Sequence, residues 1–365
     1  MNTHTYGVIM AGGIGSRFWP LSTLEKPKQF LDITGTGKSF LRMAYDRFVG
    51  LIPEENIIIV SQTRYKEEVM KHIPELREEN LLLEPYGRNT APCLALATFA
   101  ILKRDPEAVM VVCPSDHIIT DQELYRETIS TAISYASCHD SLVTLGIVPD
   151  RPDTNFGYIQ VVGGEGAYRQ NTPIKVKTFT EKPDAELADV FIRSGEFLWN
   201  SGIFIWKAEV IRGELEKYAP LITSLFRGWE GAMGTQFQEE FIEKAYMNME
   251  AISIDYAVME KTEIDCVIPA KFGWADIGNW DSLYGYLATK DALGNAINSP
   301  HVIMQPDVRN NIVYTHKPYK LVALSGIENC VVVDTGAILM VCPRDDKKLK
   351  ELISYIGMPG YEEYR

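Results

Sequence analysis

A short apolar run that opens into a glycine-rich loop near the N-terminus constrains the fold of this chain more than any other segment. The run Val8–Ala11 predicts a buried strand, and three of the four residues at 12–15 are glycine. Glycines let the backbone approach a phosphate group closely and direct N–H groups toward it. Arg17 and Lys28 then supply two positive charges. The segment therefore predicts a polyphosphate-binding loop at the end of a strand.

This loop differs from two common phosphate-binding patterns. No Gly-Lys-Ser/Thr sequence closes it, as a Walker loop requires. Phe18 stands where the third glycine of a dinucleotide fingerprint would lie, and Arg17 interrupts that pattern. A glycine-rich loop alone also occurs as an ordinary tight turn, but Pro20 and Pro27 in register with the two cations make this one specific.

The first half of the chain alternates predicted strands and helices, which is typical of a parallel sheet covered by helices on both faces. The predicted strands are Val8–Ala11, Ile57–Val60, Leu81–Leu83, Val109–Cys113 and Leu142–Ile147. The predicted helices are Phe40–Val49, Arg64–His72, Ala91–Lys103 and Leu124–Ser137, with a further one near Ala185–Ser194. Ligands of such α/β folds bind beyond the carboxyl ends of the strands, so we expect the site at that edge.

A six-residue apolar period distinguishes the C-terminal segment. Leu321, Ile327, Val333 and Leu339 recur at this spacing, which indicates the turns of a parallel β-helix. A small sheet of ordinary strands with coincidental spacing is the alternative. Lys347 to Ile356 predicts a closing helix. We therefore expect a catalytic domain at residues 1–294 and a C-terminal domain at residues 295–365.

The charge balance and the cysteine pattern limit the classes of partner and compartment. A formal net charge of -13 argues against non-specific binding to nucleic acid or anionic membranes. No apolar stretch approaches the roughly 20 residues that span a bilayer, and the first residues show no signal-peptide pattern. The six cysteines include no C-x-x-C pair. We therefore expect a cytoplasmic protein with no nucleic-acid or membrane partner.

A series of motifs in a fixed order extends over nearly the whole chain. The N-terminal motif Gly-Ser-Arg-Phe-Trp-Pro-Leu-Ser at residues 15–22, followed by Pro-Lys-Gln-Phe-Leu at 27–31, is the most specific. The further motifs lie at 84–85, 88–92, 114–117, 156–159, 181–183, 199–202, 253–257 and 274–280. Together they resemble the sugar-nucleotide nucleotidyltransferases, and within them the mannose-1-phosphate guanylyltransferase branch.

The resemblance implies a fold and a reaction. The implied fold is α/β, with a Rossmann-like nucleotidyltransferase domain containing a mixed sheet and a small C-terminal left-handed β-helix-like segment. The implied reaction transfers GMP from GTP to α-D-mannose 1-phosphate, so that GDP-mannose forms and pyrophosphate leaves. In-line attack on a phosphorus needs positioning and charge neutralisation rather than a protein nucleophile. GTP and mannose 1-phosphate are the implied partners, and we expect a homodimer.

The resemblance also assigns residues to the nucleotide. Arg17 and Lys28 would act as clamps on the triphosphate, because a guanidinium can fork onto two oxygens and an ammonium adds a point charge. A solvated turn lysine is the alternative for Lys28. With Lys182 these two form the predicted catalytic set. The predicted nucleotide-binding residues are Gly12, Gly13, Gly15, Ser16, Glu84, Asn89, Thr90 and Ser115.

Two aspartates far apart in the sequence are the candidate metal ligands. Asp116 follows a predicted buried strand, where a carboxylate is costly unless it is paired or bound to metal. The resemblance places Mg²⁺ on Asp116 and Asp276, a donor set that suits this ion. A helix N-cap or a turn aspartate is the alternative for each. His117 is expected to be structural, because Mg²⁺ prefers oxygen.

The predicted sugar site consists of Gly157, Glu181 and Asn200, with Lys182 on the sugar phosphate. Pro183 favours an extended Lys182, which would direct the side chains of Glu181 and Lys182 oppositely unless a bulge intervenes. The resemblance implies that Glu181 and Asn200 contact sugar hydroxyls. A hairpin turn is the alternative for Gly157.

Several assignments stay open at this point. Asn89, Glu84 or a backbone carbonyl could accept from the guanine base. Asp255 either favours the start of a helix after Ser253 or belongs to the active site. The alternative functions are the same chemistry on another sugar 1-phosphate or nucleotide, and a catalytically silent sugar-nucleotide sensor on the same fold.

Overall fold

The computed structural model describes residues 3–13, 15–169, 171–287, 289–299, 301–315, 320–361 and 364. The strands are β1 (Thr5–Met10), β2 (Ile57–Gln62), β3 (Leu81–Glu84), β4 (Val109–Pro114), β5 (His117–Ile119), β6 (Leu142–Ile147), β7 (Tyr158–Val161), β8 (Ile174–Thr180), β9 (Phe197–Lys207), β10 (Asp265–Ala270), β11 (Trp274–Asp276), β12 (Ala296–Asn298), β13 (Val302–Met304), β14 (Ile312–Thr315), β15 (Val322–Leu324), β16 (Cys330–Asp334) and β17 (Leu339–Pro343).

The α-helices are α1 (Phe40–Phe48), α2 (Lys66–His72), α3 (Thr90–Arg104), α4 (Gln122–Cys138), α5 (Ala185–Ser194), α6 (Ala208–Tyr218), α7 (Pro220–Leu225), α8 (Trp229–Ala232), α9 (Gln238–Met247), α10 (Trp280–Tyr286) and α11 (Asp346–Ile356). The predicted alternation of strands and helices in the first half is confirmed, and α11 matches the predicted closing helix.

The chain forms two compact units. The first unit comprises Met1–Gly12, Leu41–Ser115 and Ile119–Trp274, and the second comprises Gly13–Phe40, Asp116–Ile118 and Ala275–Arg365. Each unit is thus built from discontinuous segments. The linear boundary between residues 294 and 295 stays a prediction.

A mixed sheet forms the centre of the first unit, in the order β3-β2-β1-β4-β9-β6-β10-β8-β7. Strands β3, β2, β1 and β4 are parallel, as their continuous apolar sequences predict for strands buried on both faces. Strand β9 runs antiparallel to both β4 and β6. Helix α3 packs into the core of this unit, and its residues from Ala91 to Leu102 are all buried.

The parallel part of the sheet places several predicted residues at the carboxyl ends of neighbouring strands. Gly12 lies just beyond β1, Glu84 is the last residue of β3, and Ser115 follows β4. The Ser115 N–H donates to Met10 O at 3.1 Å, which ties the ends of β4 and β1 together. The expectation that these motifs meet at one sheet edge is confirmed for the first unit.

Short parallel strands form successive rungs in the second unit. Strand β12 pairs with β14 and β14 with β16, while β13 pairs with β15. Partner residues on adjacent rungs are about 16 to 20 positions apart, close to three six-residue turns. Strand β17 ends the stack, because it pairs with β16 in the antiparallel direction. The predicted β-helix-like segment is confirmed.

The residues that suggested the six-residue period, however, mostly lie outside the buried core of the second unit. Val333 is buried, but Leu321 and Leu339 are 60% and 66% exposed. Rungs of unequal length and the reversed direction of β17 break the period at these positions. The spacing therefore predicted the architecture correctly, although two of the four residues that showed it are exposed.

Two buried asparagines connect the rungs. Asn295 Oδ1 accepts from Asn311 N and Nδ2 at 3.1 and 3.0 Å. Asn311 in turn donates from Nδ2 to Ile327 O at 3.1 Å and accepts from Cys330 N at 2.8 Å. These side chains are 1% and 0% exposed, so they satisfy buried backbone groups that strand pairing leaves free.

Candidate active site

Four charged side chains of the second unit form what we call the Lys28 cluster: Arg17, Lys28, Asp116 and Asp276. Lys28 Nζ lies 2.8 Å from Asp116 Oδ2 and 3.9 Å from Asp276 Oδ1. Gly278 lies between Asp276 and Arg17, since a Cβ at Gly278 would be 3.7 Å from Asp276 Oδ1 and 3.8 Å from Arg17 Nη1. The structure thus brings together residues of the predicted motifs that are up to 259 positions apart in the sequence.

The environment of Lys28 shows that this residue is not a solvated lysine in a turn. Its side chain is 3% exposed, and its Nζ lies 5.5 and 5.2 Å from the ring centroids of Phe18 and Phe40. Burial raises the pKa of Asp116, but the charges of Lys28 and His117 outweigh this effect and hold that pKa at about 2. Asp116 is therefore ionised at neutral pH.

The glycine loop of the second unit places Lys28 beside its backbone. Gly15 has φ 66°, a left-handed conformation that glycine adopts without a steric penalty. Any Cβ at Gly15 would also overlap with Cβ of Lys28. Ser22 Oγ donates to Gly15 O at 2.6 Å, and Gln29 Nε2 donates to Gly13 O at 2.9 Å. Exposed Ser16 begins the short 3-10 turn Ser16–Phe18 that carries Arg17.

In the first unit, a buried carboxyl lies next to Gly12 in what we call the Glu84 cluster: Gly12, Gln62, Glu84 and Tyr246. Glu84 is 3% exposed, and Glu84 Oε1 accepts from Tyr246 Oη at 3.0 Å. A Cβ at Gly12 would lie 3.0 Å from Glu84 Oε2, so glycine permits this close approach. Gln62 Nε2 donates to Gly12 O at 2.5 Å. Burial raises the pKa of Glu84 to about 8, although the hydrogen bond from Tyr246 lowers it.

Two predicted nucleotide-binding residues of the first unit have local structural contacts. Asn89 adopts φ 67°, and its side chain caps α3 by accepting from Thr90 N at 2.9 Å. Thr90 Oγ1 accepts from Ile254 N at 2.8 Å, which connects the start of α3 to the segment before Asp255. Their contribution to nucleotide binding stays a prediction.

A third group, the Asp255 cluster, contains Gly157, Glu181, Lys182, Asn200 and Asp255, also in the first unit. Asn200 Nδ2 donates to Asp255 Oδ1 at 3.0 Å, and Asn200 N donates to Gly157 O at 2.8 Å. A Cβ at Gly157 would overlap with Glu181 Oε2. The structure thus brings all the predicted sugar-site residues together and adds Asp255.

The orientation predicted for Glu181 and Lys182 is wrong. Lys182 adopts φ 48° instead of an extended conformation, and its Nζ pairs with Glu181 Oε1. The left-handed residue turns the chain, so both side chains reach the same side. Burial lowers the pKa of Lys182, but the Glu181 carboxylate raises it above its usual value.

Asp255 belongs to this cluster and also lies in the first turn of a helical segment after Ser253. Its carboxylate contacts Asn200, while Ser253 Oγ accepts from Tyr256 N at 3.3 Å. Asp255 begins a single π-helical turn, Asp255–Met259, a local irregularity that often occurs at functional sites. Burial and the nearby Glu181 raise the pKa of Asp255 to about 7, against the opposing effect of Lys182.

Sequence reasoning missed Tyr246 and Gln62. Tyr246 lies on α9, 162 positions after Glu84, and no motif singles it out. Gln62 ends β2, and its Oε1 accepts from Arg64 Nε and Nη2 at 3.0 and 2.6 Å. Its place at the carboxyl end of a parallel strand beside β1 was the one signal available.

The described residues contain no protein-only metal site and no membrane-spanning helix. Within them, no three His, Cys, Asp or Glu side chains converge on one point. None of the helices in the described ranges combines the length and the apolar character that crossing a bilayer requires.

Comparison with known families agrees with this fold. Residues 6–291 match the nucleotidyl transferase family, and residues 302–355 match the MannoseP isomerase/GMP-like beta-helix domain. The chain therefore belongs to the nucleotidyl transferase family of enzymes and carries a C-terminal β-helix-like domain.

Similar proteins indicate which branch of the family this chain resembles. The mannose-1-phosphate guanylyltransferase of Escherichia coli K12 is 35% identical over 369 residues, which cover 99% of this chain and 75% of that protein. The protein of the same name from Klebsiella pneumoniae is 35% identical over 366 residues, 98% of this chain and 75% of that protein. A solved structure, described as mannose-1-phosphate geranyltransferase from Thermus thermophilus, is 30% identical with a TM-score of 0.84 and covers 97% of this chain and 100% of that one. The resemblance to the mannose-1-phosphate guanylyltransferase branch is confirmed.

Proposed function

We propose that this chain transfers GMP from GTP to α-D-mannose 1-phosphate and releases pyrophosphate, in a Mg²⁺-dependent in-line reaction. The family and the names of its relatives support the reaction class and the substrates. The observation that carries the proposal is the Lys28 cluster, in which two cations and two carboxylates follow a glycine loop.

The charge of this cluster supports the proposed requirement for a divalent cation. Arg17 and Lys28 contribute two positive charges, and Asp116 and Asp276 contribute two negative ones, so the four side chains are neutral together. A neutral cluster attracts a triphosphate weakly. A divalent cation on the two carboxylates would restore a positive charge and would free Lys28 to contact phosphate oxygens.

The two aspartates suit Mg²⁺ in number and in chemistry. This ion is held by one or two carboxylates together with substrate phosphates and water, rather than by a complete protein cage. Asp116 and Asp276 supply two oxygen donors that already converge on one cation, the Lys28 ammonium, and they are 36% and 30% exposed. When bound there, Mg²⁺ would supply positive charge to the phosphate that is transferred.

The remaining residues of the glycine loop orient the triphosphate. Arg17 and Lys28 neutralise phosphate oxygens, because charge-assisted hydrogen bonds to an anion are strong ones. Gly13, Gly15 and Ser16 offer backbone N–H groups to the same oxygens. No protein nucleophile takes part, since the attacking oxygen belongs to the sugar phosphate.

Base recognition is assigned to the first unit. Guanine presents two adjacent donors, N1–H and the 2-amino group, so an acceptor is required. Glu84 is the carboxyl group next to Gly12, and Asn89, Thr90 and Ser115 lie at the same edge of the sheet or at the start of α3. We assign the acceptor to Glu84.

The Asp255 cluster suits a sugar phosphate. Lys182 supplies a cation for the phosphate, while Glu181 and Asn200 supply a carboxylate and an amide that bind hydroxyl groups. Gly157 leaves room for the Glu181 carboxylate. Asn200 Nδ2 donates to the Asp255 carboxylate, so the Asn200 side chain is fixed before substrate arrives.

One experiment tests the proposed function directly. Pyrophosphate release is measured with GTP, ATP, UTP and dTTP against mannose, glucose and galactose 1-phosphates, with Mg²⁺ and with EDTA. We expect release with GTP and mannose 1-phosphate that EDTA abolishes. Turnover with another pair would favour the same chemistry on other substrates, and binding without any release would favour a sensor. Cytoplasmic location and a homodimer stay predictions.

A further inference from the structure

The contact between Tyr246 and Glu84 joins two elements that are far apart in the sequence. Tyr246 on α9 is fully buried and donates its hydroxyl to Glu84 Oε1 at 3.0 Å. Glu84 Oε2 accepts no hydrogen bond within the described part of the chain and lies beside Gly12 of the glycine loop. One carboxyl oxygen is therefore engaged, and the other lies beside Gly12 with no hydrogen bond from the described residues.

The groups that surround Glu84 leave its charge uncompensated. Tyr246 on α9 and Cys93 on α3 are the titratable groups that interact with it, and both are neutral at pH 7, since their ordinary pKa values lie above 7 and burial raises them further. The cationic side chains nearest to Glu84 in the sequence contact other residues. Arg64 donates to Gln62 Oε1, and the Arg88 guanidinium lies 5.7 Å from the ring centroid of Tyr86. Among the described residues, burial and the hydrogen bond from Tyr246 are the effects that set the pKa of Glu84 at about 8, and no cation offsets the burial.

A protonated Glu84 is the wrong partner for a base edge made of two donors. In the neutral acid, Oε1 accepts from Tyr246 and Oε2 carries the proton, so Oε2 is a donor. A base with adjacent N–H groups needs an acceptor at that position. The carboxylate offers one, and the new hydrogen bonds then stabilise its charge in the buried setting.

We propose that Tyr246 orients Glu84 toward the donor edge of a guanine-type base, and that binding of this base displaces the proton of Glu84 into solvent. The proton leaves Oε2 for water or buffer, the Oε2 lone pair accepts from the base, and Tyr246 keeps its hydrogen bond to Oε1. Tyr246 is a positioning residue in this scheme. The inference rests on the proposed use of a guanine nucleotide.

Titration calorimetry of the 365-residue chain with Mg²⁺-GTP, without sugar phosphate, tests this inference. At pH 7 the heat is measured in phosphate and in Tris, whose ionisation enthalpies differ, so that the number of protons released is obtained. We expect the wild type to release about 0.9 proton more per GTP than Glu84→Gln, which has no titrating group at this position. Protons from the nucleotide itself are common to both proteins and cancel in the difference.

The pH dependence of affinity gives a second, independent measurement. A pKa of about 8 predicts that the Kd for GTP of the wild type, corrected for nucleotide ionisation, falls about 50-fold from pH 6 to pH 8. Tyr246→Phe keeps the ring packing with Phe226 but removes the hydrogen bond that lowers the pKa of Glu84. We therefore expect its curve to shift to higher pH.

The outcomes separate this inference from the proposed function. GTP binding with equal proton release in the wild type and Glu84→Gln would overturn the inference and leave the proposed function intact. A wild-type Kd that is flat with pH after the same correction would also overturn it. If GTP does not bind and another nucleotide does, the proposed function is wrong and the inference is wrong with it.

Discussion

Lys28 Nζ and Asp116 Oδ2 are 2.8 Å apart, and Lys28 is one of the most deeply buried charged side chains among the described residues. The pair is linked to Asp276, so three charges of the second unit depend on one another. A buried ammonium is tolerated because the carboxylates satisfy it. We therefore expect the loss of any one of these three side chains to disturb the other two.

Asp116→Asn and Asp276→Asn should each remove most turnover without unfolding the protein. Each change removes an anionic metal ligand, and a loss of several kcal/mol at the transition state lowers the rate on the order of 10²-fold or more. The measurement is kcat in saturating Mg²⁺, with far-UV circular dichroism as a check of the fold. Asp307→Asn, an exposed aspartate of the same unit, is the matched control. Near-normal turnover in both aspartate variants would contradict the two-aspartate site.

Lys182→Ala should weaken the use of mannose 1-phosphate far more than the binding of GTP. A charge-assisted hydrogen bond to phosphate contributes roughly 1.5–3 kcal/mol, so the KM for the sugar phosphate should rise about 10- to 100-fold. GTP affinity, measured by calorimetry, should change little. Lys177→Ala, at an exposed position of β8, is the control. Loss of GTP binding with intact sugar-phosphate use would reverse the assignment.

Glu84→Gln should change how stability depends on pH. The folded-state pKa of Glu84 is about 8, above its ordinary value of 4.5, so between these values the folded protein holds a proton that the unfolded chain has lost. The free energy of unfolding therefore falls as pH rises through this window, by up to about 1.4 kcal/mol per pH unit from this group. Urea unfolding at pH 5, 6 and 7 should show a shallower decline in Glu84→Gln. Parallel curves for the two proteins would exclude the raised pKa.

Asn311→Ala should destabilise the second unit. The change leaves Cys330 N without its acceptor in a buried region, at about 1–3 kcal/mol, and removes one of the two hydrogen bonds at Asn295 Oδ1 and at Ile327 O. Thermal unfolding should show a lower transition temperature than the wild type. Asn298→Ala, an exposed asparagine on β12, should leave it within error. Equal stability of the two variants would argue against a structural role of the buried pair.

The sequence predicted well those features that local patterns determine. Strands β1 to β4 were found because strands buried on both faces are continuous apolar runs, and α5 was predicted with its observed bounds. The insertion of antiparallel β9 between β4 and β6 was not predicted, because it depends on pairing between residues that are distant in the chain.

Within the candidate site, residue types were easier to predict than conformations. The predicted Asp116, Asp276 and Lys28 do meet in the second unit. The left-handed Lys182 was missed because tertiary contacts override the local preference of a residue before proline. Tyr246 was missed because a tyrosine on an amphipathic helix looks like any other core residue until the fold places it against Glu84.

The reversed direction of β17 has a consequence for how the C-terminal rungs can grow. A stack of parallel rungs exposes the same unpaired edge at each end, and such an edge invites further copies to add on and form filaments. The turn around Thr335 and Gly336 sends β17 back along β16, so the edge that it exposes runs against the direction of every rung. A further rung in the direction of the others would have to pair with β17 in the antiparallel sense, so β17 ends the run of parallel pairing at this side of the stack.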